Sequence, residues 1–323
     1  MSHDMPEELR SKLEKQGYHL LGKRGAYKAC QWQRKSLLQG DACYKEKFYG
    51  IASHRCVQMT PVVDKCTQNC LFCWRVTPGD IGVSWDQVNV SMDDVVPVGE
   101  LMDAVLMANL RSLGGYNPDA GANVPMTKYL EAREPKHVAI SLAGEPTLHP
   151  FISDLIDEIH KRNMTSFLVT NGTLPEVIRE MSEPTQLYVT LAAPNEDIYK
   201  RICRPGAMSG WNDILESQDT LQSLSCRTVN RLTMVADENM NDPRAYSELI
   251  LRGEPDFVEV KGYMFLGSSR RRLGSANTPS HREIRAFSKK LSDLTGYCIA
   301  DEQTESRVVL LSQNKHIKKL QVN

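Results

Sequence analysis

The chain has 323 residues, of which 41% are hydrophobic and 24% charged, a composition typical of a soluble globular protein. No run of eighteen apolar residues occurs, and residues 1–17 lack the apolar core of a secretory signal, so the sequence predicts neither a membrane span nor a leader. The net charge of -1 divides into +4 over residues 1–50, +6 over residues 257–323 and -11 between them, and such basic ends are compatible with a polyanionic partner or with an uneven solvated surface.

Short β-branched runs alternate with helical patterns from Val57 onwards, which is typical of parallel βα units. The six predicted strands cover 57–64, 137–144, 165–172, 186–195, 228–237 and 257–267. Helical spacing of apolar residues predicts helices over 150–163, 174–182 and 280–293. This pattern predicts an α/β fold, a partial (βα)6 barrel, with its chemistry at the C-terminal ends of the strands.

The predicted organisation has three parts. Residues 1–56 form an N-terminal extension that carries three cysteines, residues 57–300 form the barrel, and residues 301–323 form a basic C-terminal extension. Residues 100–131 do not fit the alternation and are expected to be an insertion in the barrel.

Nine cysteines are an odd number and too sparse for a disulfide scaffold, so we expect a reducing, cytoplasmic setting in which clustered thiolates bind metal. Cys66, Cys70 and Cys73 follow the first predicted strand in the stretch DKCTQNCLFCWR. Three thiolates at this spacing can bind an iron–sulfur cluster and leave one iron open. The alternative is structural zinc, which normally uses two separated ligand pairs, and no second CxxC or HxxxH pair occurs.

Further candidate site residues lie on or after the other predicted strands, namely Gly144, Glu145, Asn171, Thr190 and Lys261. A simple strand-to-helix turn is the alternative interpretation of AGEP, residues 143–146. Glu259 and Lys261 share one face of the sixth strand under two-residue alternation. If that face is buried, the two side chains need mutual pairing or a ligand.

The motif Cys-x3-Cys-x2-Cys, with Phe72 before its last cysteine, resembles the signature of the radical S-adenosylmethionine (SAM) superfamily. The resemblance implies a partial (βα)6 barrel and a [4Fe–4S] cluster on the three cysteines, whose open iron binds SAM. The superfamily's Gly-Gly-Glu motif corresponds here to Ala143-Gly144-Glu145, with alanine in place of the first glycine. It implies SAM contacts at Gly144 and Glu145, and Asn171 and Thr190 are further expected contacts to SAM or to the substrate base.

A second set of cysteines, Cys30, Cys43 and Cys56, is spaced at intervals of thirteen residues. Taken alone they fit no zinc pattern, and ordinary buried thiols are the simpler interpretation. Together with the signature, SLAGEPTLHP (141–150) and VEVKGYMFLGSSRRRL (258–273), they resemble the tRNA 4-demethylwyosine synthases, radical-SAM enzymes of wybutosine biosynthesis. The resemblance covers about residues 25 to 310. Because no flavodoxin-like domain is present, the chain resembles the stand-alone archaeal form of the family. This resemblance implies an external electron donor. We also expect a monomer.

The resemblance implies a lyase that condenses N1-methylguanosine, in the anticodon loop of phenylalanine tRNA, with pyruvate to form tricyclic 4-demethylwyosine. It implies two [4Fe–4S] clusters, the second bound by the N-terminal cysteines close to pyruvate. Because a lysine amine can activate a ketoacid as a Schiff base, Lys45 is the catalytic candidate and Lys47 the alternative. A solvated lysine in a mixed-charge loop is the other interpretation.

Three arginines, Arg270, Arg271 and Arg272, lie in a Gly/Ser loop after the sixth strand. They are expected to bind tRNA phosphates, and ordinary surface charge is the alternative. Two other functions also fit the sequence: a radical-SAM enzyme acting on a peptide or small molecule, and a non-catalytic iron–sulfur or zinc protein. No role is assigned to Cys203, Cys226 and Cys298, which are expected to be free thiols.

Overall fold

A computed structural model describes residues 5–82, 95–207 and 209–321. The chain divides into two compact units. Unit 1 comprises Met1–Lys65, Val88–Leu168 and Lys318–Asn323, and unit 2 comprises Cys66–Gln87 and Val169–Ile317. The predicted boundaries at residues 56 and 300 divide the chain by expected function and not by compactness. They stay predictions.

Unit 1 contains, within the described ranges, six α-helices and five β-strands. The helices are α1 (Glu7–Lys15), α2 (Gln31–Leu38), α3 (Tyr44–Tyr49), α4 (Val98–Ser112), α5 (Met126–Arg133) and α6 (Ile152–Lys161). The strands are β1 (His19–Leu21), β2 (Gly25–Tyr27), β3 (Cys56–Thr60), β4 (His137–Ile140) and β5 (Thr165–Thr170), whose last two residues belong to unit 2. β1, β2 and β3 pair antiparallel in that order, whereas β4 is parallel to both β3 and β5.

Helix α6 shows why these segments fold as they do. Its apolar residues recur at helical spacing, so that Ile152, Leu155, Ile156 and Ile159 form one buried face. Residues 100–131, predicted as an insertion, instead supply most of α4 and α5, and α4 packs against β1, β2, β3 and α6. The predicted insertion therefore contributes to the core of unit 1.

Unit 2 contains, in the part of the chain that is described, five α-helices and five complete β-strands. The helices are α7 (Pro175–Glu180), α8 (Glu196–Cys203), α9 (Trp211–Leu221), α10 (Pro243–Gly253) and α11 (His281–Thr295). The strands are β6 (Gln186–Thr190), β7 (Arg227–Met234), β8 (Phe257–Gly262), β9 (Cys298–Gln303) and β10 (Val308–Ser312). β6, β7 and β8 are parallel, and β10 lies antiparallel between β8 and β9.

The six predicted strands are confirmed as β3 to β8, and the three predicted helices as α6, α7 and α11. The predicted strands run too far at their C-terminal ends: the first ends at Thr60 and the last at Gly262. β9 and β10 extend the sheet of unit 2 through residues 298–312, where the sequence predicts only the start of a basic extension. Among the described helices, none has both the length and the apolar character needed to cross a bilayer.

Candidate active site

The loop after β3 carries the three signature cysteines, which are Cys66, Cys70 and Cys73. All three are partly buried. The N–H of Asn69 donates to the carbonyls of Cys203 (3.0 Å) and Arg204 (3.1 Å), and the N–H of Leu71 donates to the carbonyl of Ile202 (2.9 Å). Carbonyls at the C-terminal end of a helix lack partners within that helix, so the loop satisfies those at the end of α8 and is held there.

Asn171 holds the beginning of the same loop. Its amide nitrogen donates to the hydroxyl of Thr67 (2.8 Å) and approaches the sulfur of Cys66 (3.5 Å). Its amide oxygen accepts from the N–H (3.1 Å) and the hydroxyl (2.7 Å) of Thr173. The structure thus places this predicted SAM contact against the cysteine loop itself, and its contact with SAM stays a prediction.

Arg272 holds the end of the cysteine loop. Its guanidinium pairs with Asp80 (2.5 Å) and donates to the carbonyls of Leu71 (3.2 Å) and Cys73. The two paired side chains are only 9% and 7% exposed. Arg272 therefore faces the loop, which is not the exposed position of a phosphate contact, whereas Arg270 and Arg271 are exposed and their contact with tRNA stays a prediction. The sequence holds no signal for this pair, because Arg272 and Asp80 are 192 residues apart.

Replacing Arg272 with alanine would remove the positive partner of the buried Asp80 carboxylate, which would keep only the neutral donors of Thr77, and would leave two loop carbonyls without this donor. We expect the free energy of unfolding to fall by about 3 kcal/mol, because breaking a buried ion pair leaves a buried charge without its partner. The loop should also lose iron more readily to a chelator. Urea unfolding and the rate of iron release to a chelator measure both effects. Arg271→Ala, one residue away and exposed, is the control, and equal behaviour of the two variants would contradict the assignment.

Two of the loop thiols, those of Cys70 and Cys73, have a raised pKa and therefore ionise less readily than a free cysteine. Burial raises the pKa of Cys73, which the charges of Arg75 and Arg272 partly offset. The pKa of Cys70 is also raised, first by a hydrogen bond with Cys203 and then by burial. Bound iron supplies the missing charge and keeps such thiols as thiolates. The donor set therefore fits a metal cluster.

A cluster and a single metal ion place different demands on the donor side chains. In the described residues, no group of three His, Cys, Asp or Glu side chains is placed to hold one metal ion. A tetrahedral zinc site needs its sulfurs to converge about 2.3 Å from one centre. The cysteines of an iron–sulfur cluster bind different irons and need no such convergence. The two kinds of site thus differ in how closely the three sulfurs must approach one centre.

The AGEP segment in unit 1 packs against the backbone that precedes the cysteine loop. Gly144 has φ +70°, and a Cβ there would lie 1.8 Å from the carbonyl oxygen of Val62 and 2.6 Å from that of Lys65. The N–H of Glu145 donates to the same Lys65 carbonyl (2.8 Å). The Glu145 carboxylate is buried and accepts from the N–H (3.2 Å) and hydroxyl (2.7 Å) of Thr147, so it caps a short 3-10 helix. Both residues have these structural roles, and their contacts with SAM stay predictions.

The other predicted polar positions lie on the strands of unit 2. Thr190 ends β6, is partly buried and pairs in register with Arg231 of β7. Glu259 is fully buried and accepts from the guanidinium of Arg231 at 2.9 Å. Lys261 donates to the carbonyl of Ser306 (2.7 Å). The partner of Glu259 is thus Arg231, which the sequence did not indicate. The register of β7 and β8 brings the two residues opposite each other on neighbouring strands.

The N-terminal cysteines lie together in unit 1. Cys30 and Cys43 precede the first residues of α2 and α3, Cys56 begins β3, and all three are partly buried. The pKa of Cys56 is raised, first by burial and then by the charge of Cys30, while Lys45 lowers it and Cys43 raises it further. Such mutual effects require proximity, because charge interactions weaken with distance. Cys30, Cys43 and Lys45 therefore each lie close enough to Cys56 to act on its charge.

Helix α3 positions Lys45 in this neighbourhood. The Lys45 ammonium lies 6.0 Å from the ring centroid of Phe167 in β5, at the outer limit of a cation–π contact. Its side chain is partly buried, whereas that of Lys47 is exposed. Of the two lysines, Lys45 is thus the one whose surroundings include the cysteines.

Comparison with known proteins identifies the family. The family model described as "Radical SAM superfamily" matches residues 60–250, and the one described as "Wyosine base formation" matches residues 252–313. The chain is 44% identical over 320 residues to the S-adenosyl-L-methionine-dependent tRNA 4-demethylwyosine synthase of Pyrococcus abyssi, covering 96% of this chain and 90% of that one. The enzyme of the same name from Methanocaldococcus jannaschii is 42% identical, with 97% and 98% covered. The chain belongs to the tRNA 4-demethylwyosine synthase family.

Solved structures agree with this membership. "Structure of TYW1 with a lysine-pyruvate adduct bound" superposes with a TM-score of 0.86 at 39% identity, covering 96% of this chain and 97% of that one. "Crystal structure of archaeal TYW1" gives 0.79 at 35% identity, with 98% of each chain covered. A radical SAM methyltransferase from Sphaerobacter thermophilus, at 14% identity and a TM-score of 0.52, shares the fold alone.

Family membership confirms the predicted fold class, an α/β partial barrel of the radical-SAM type, and the predicted enzyme class. The cofactors common to radical-SAM proteins are SAM and a [4Fe–4S] cluster, and the relatives named above are tRNA-modifying synthases. The non-catalytic alternative does not fit this membership.

Proposed function

We propose that the protein condenses N1-methylguanosine of phenylalanine tRNA with pyruvate to form 4-demethylwyosine. The observation that carries the proposal is that Lys45 follows Cys43 on α3 and that both, with Cys30, lie close enough to Cys56 to affect its pKa. A radical-SAM enzyme without a second cluster needs no such group. The TYW1 structure that superposes with a TM-score of 0.86 has a lysine–pyruvate adduct bound, which supports the same chemistry here.

The first cluster is assigned to Cys66, Cys70 and Cys73, with SAM contacts at Gly144, Glu145, Asn171 and Thr190. When bound and reduced, this cluster supplies the electron that cleaves SAM to a 5′-deoxyadenosyl radical. The task of the chain is to hold the three thiolates in place. Asn171 and Arg272 fix the two ends of the loop.

The second cluster is assigned to Cys30, Cys43 and Cys56, and pyruvate binding to the same neighbourhood. The neutral amine of Lys45 attacks the keto carbon of pyruvate, and loss of one water leaves an imine between them. This attachment places the methyl carbon of pyruvate at a fixed distance from α3. Lys47, which is exposed, is the alternative amine.

Anaerobic reconstitution should give about eight irons per chain if both clusters form. Replacing Cys30, Cys43 and Cys56 together with alanine should lower this to about four, and Cys66→Ala should remove the other four. Iron and sulfide analysis with electron paramagnetic resonance gives the count. Cys298→Ala removes an exposed thiol with no assigned role and should retain all the iron. Full iron content in the triple variant would contradict the second cluster.

The tRNA backbone is proposed to contact Arg270 and Arg271, which are exposed on the turn after β8. Each phosphate contact contributes about 0.7 to 0.9 to the slope of log affinity against log salt. Arg270→Gln with Arg271→Gln should therefore weaken tRNA binding and flatten that slope by one to two. Binding measured at several salt concentrations tests this. Lys290→Gln, an exposed cation on α11, is the control, and an unchanged slope in the double variant would rule out the contact.

Incubation with tRNA carrying N1-methylguanosine, SAM, pyruvate and a reductant tests the whole proposal. Nucleoside mass spectrometry should detect 4-demethylwyosine, with none formed when pyruvate is left out. With a deuterated N1-methyl group, deuterium should appear in 5′-deoxyadenosine. Turnover of SAM with no transfer from tRNA would favour the alternative, a peptide or small-molecule substrate.

The proposed setting is a reducing, cytoplasmic one. All nine cysteines are free thiols, as cluster ligands require. An external electron donor is proposed to reduce the clusters, and the protein is proposed to act as a monomer. Size-exclusion chromatography with light scattering tests the last point.

A further inference from the structure

Residues 318–320, here named the strap, lie against the end of α3 within unit 1. The N–H of Leu320 donates to the carbonyl of Tyr49, the last residue of the helix (2.8 Å). Gly50 follows with φ +81°, and a Cβ there would lie 2.8 Å from the carbonyl oxygen of Leu320 and 3.1 Å from the Cβ of Lys319. Glycine at position 50 thus permits both the left-handed turn and the close approach of the strap.

Helix α3 depends on contacts at both of its ends. It has only six residues, and a helix of this length is not stable without tertiary contacts. At its start, the N–H of Cys43 donates to the hydroxyl of Ser53 (2.9 Å), and the N–H of Ser53 donates to the carboxylate of Glu46 (2.8 Å). At its end, the strap supplies the donor to the carbonyl of Tyr49. The helix is therefore held between Ser53 and Leu320.

We propose that the strap is a positioning element for the pyruvate site, because it fixes the helix that carries Lys45 and follows Cys43. The inference rests on the proposed roles of these two residues. Without the strap, the last turn of α3 would fray, and Lys45 lies only four residues before Tyr49. A shift of about 1 Å in the reacting amine is enough to lower a reaction rate by about a hundredfold.

The strap contacts α3 through its backbone, while the side chains of Lys318 and Lys319 are exposed. This distinguishes positioning from an electrostatic role of the two lysines in tRNA binding. Removing the N–H of Leu320 should affect the pyruvate site, whereas neutralising Lys318 and Lys319 should not.

Leu320→Pro removes the donor to Tyr49, because proline has no N–H, and Leu320→Ala, which keeps that donor, is its control. Gly50→Ala places a Cβ against the strap. Its control is Gly17→Ala, at the same φ of +81° with nothing within 4 Å of the added Cβ. The readouts are the pyruvate adduct trapped by borohydride, the KM for pyruvate, and SAM cleavage.

In Leu320→Pro and Gly50→Ala we expect the trapped adduct to fall, and the KM for pyruvate to rise, by about tenfold. SAM cleavage should stay within about twofold, because the signature loop is not altered. The two control variants, and Lys318→Gln with Lys319→Gln, should trap pyruvate as the unchanged protein does. If Gly50→Ala does not fold by circular dichroism, Leu320→Pro decides alone.

If Leu320→Pro leaves pyruvate trapping and the KM for pyruvate unchanged while Lys45→Ala abolishes trapping, the proposed role of the strap is overturned. The proposed function is then left intact. Normal trapping in Lys45→Ala would instead remove the assigned role of Lys45, on which the strap depends. A loss of SAM cleavage equal to the loss of trapping would also overturn the inference, because it would show general damage to the protein.

Discussion

Replacing Gly144 with alanine is expected to lower the free energy of unfolding by at least about 3 kcal/mol. The left-handed conformation costs a residue with a Cβ about 1–2 kcal/mol. The larger effect comes from the carbonyl oxygen of Val62, which would lie 1.8 Å from the new carbon, so the backbone of one segment must move. Because residues 62–65 lead directly into Cys66, the displacement should also reduce the iron retained by the protein.

Gly121→Ala separates conformational strain from steric overlap. Gly121 has φ +90°, and nothing lies within 4 Å of an added Cβ, so the expected cost is only about 1 kcal/mol. Urea unfolding of both variants, with iron content measured on the same samples, gives the comparison. Equal destabilisation by the two substitutions would show that the segment around Val62 yields easily and that close packing is not the reason for glycine at position 144.

The strands could be predicted from sequence because β3 to β8 are short runs of β-branched and apolar residues separated by helical patterns. Their ends could not, because burial continues beyond the hydrogen-bonded ladder. Val62 and Val63 are buried after β3 ends, and Leu191 and Ala192 are buried after β6 ends. An apolar run therefore marks what is buried, and only the pairing of the chain shows where a strand stops.

The strands that the sequence missed have weaker local signals. β1 and β2 are three residues long, and β9 has the polar sequence CIADEQ with no buried position. Such segments become strands because a neighbouring strand offers an unpaired edge with which they can form hydrogen bonds. β10 has four apolar residues before Ser312, a usable strand signal that lies within the predicted C-terminal extension.

The candidate site also has parts that a local sequence pattern predicts and parts that it does not. The signature loop is recognised by its spacing alone, since its three cysteines lie within eight residues. The N-terminal cysteines have no such local pattern, because two of them precede helices and the third begins a strand, and only family resemblance linked them. Ion pairs such as Arg272 with Asp80 and Arg231 with Glu259 follow from loop closure and strand register, which no local pattern contains.

The amine that helix α3 supplies is expected to have a large effect on product formation. Lys45→Ala should lower 4-demethylwyosine formation by at least about a thousandfold, because the covalent attachment that orients pyruvate is lost with the amine. Lys45→Arg should be equally inactive, since a guanidinium keeps the charge but is not a nucleophile at neutral pH. Both variants should retain full iron content, which separates loss of the amine from loss of the cluster. Nucleoside mass spectrometry and borohydride trapping measure the two losses.

Lys47→Ala is the matched control for Lys45→Ala, because Lys47 lies on the same short helix with its side chain in solvent. It should form product at close to the unchanged rate. The reverse outcome, with Lys47→Ala inactive and Lys45→Ala active, would assign the amine to Lys47 and require α3 to turn in the working enzyme. Activity in both single variants and in the double variant, Lys45→Ala with Lys47→Ala, would exclude a lysine of α3 from the chemistry. The N-terminal thiols would then bind a cluster beside pyruvate with no covalent anchor from this helix.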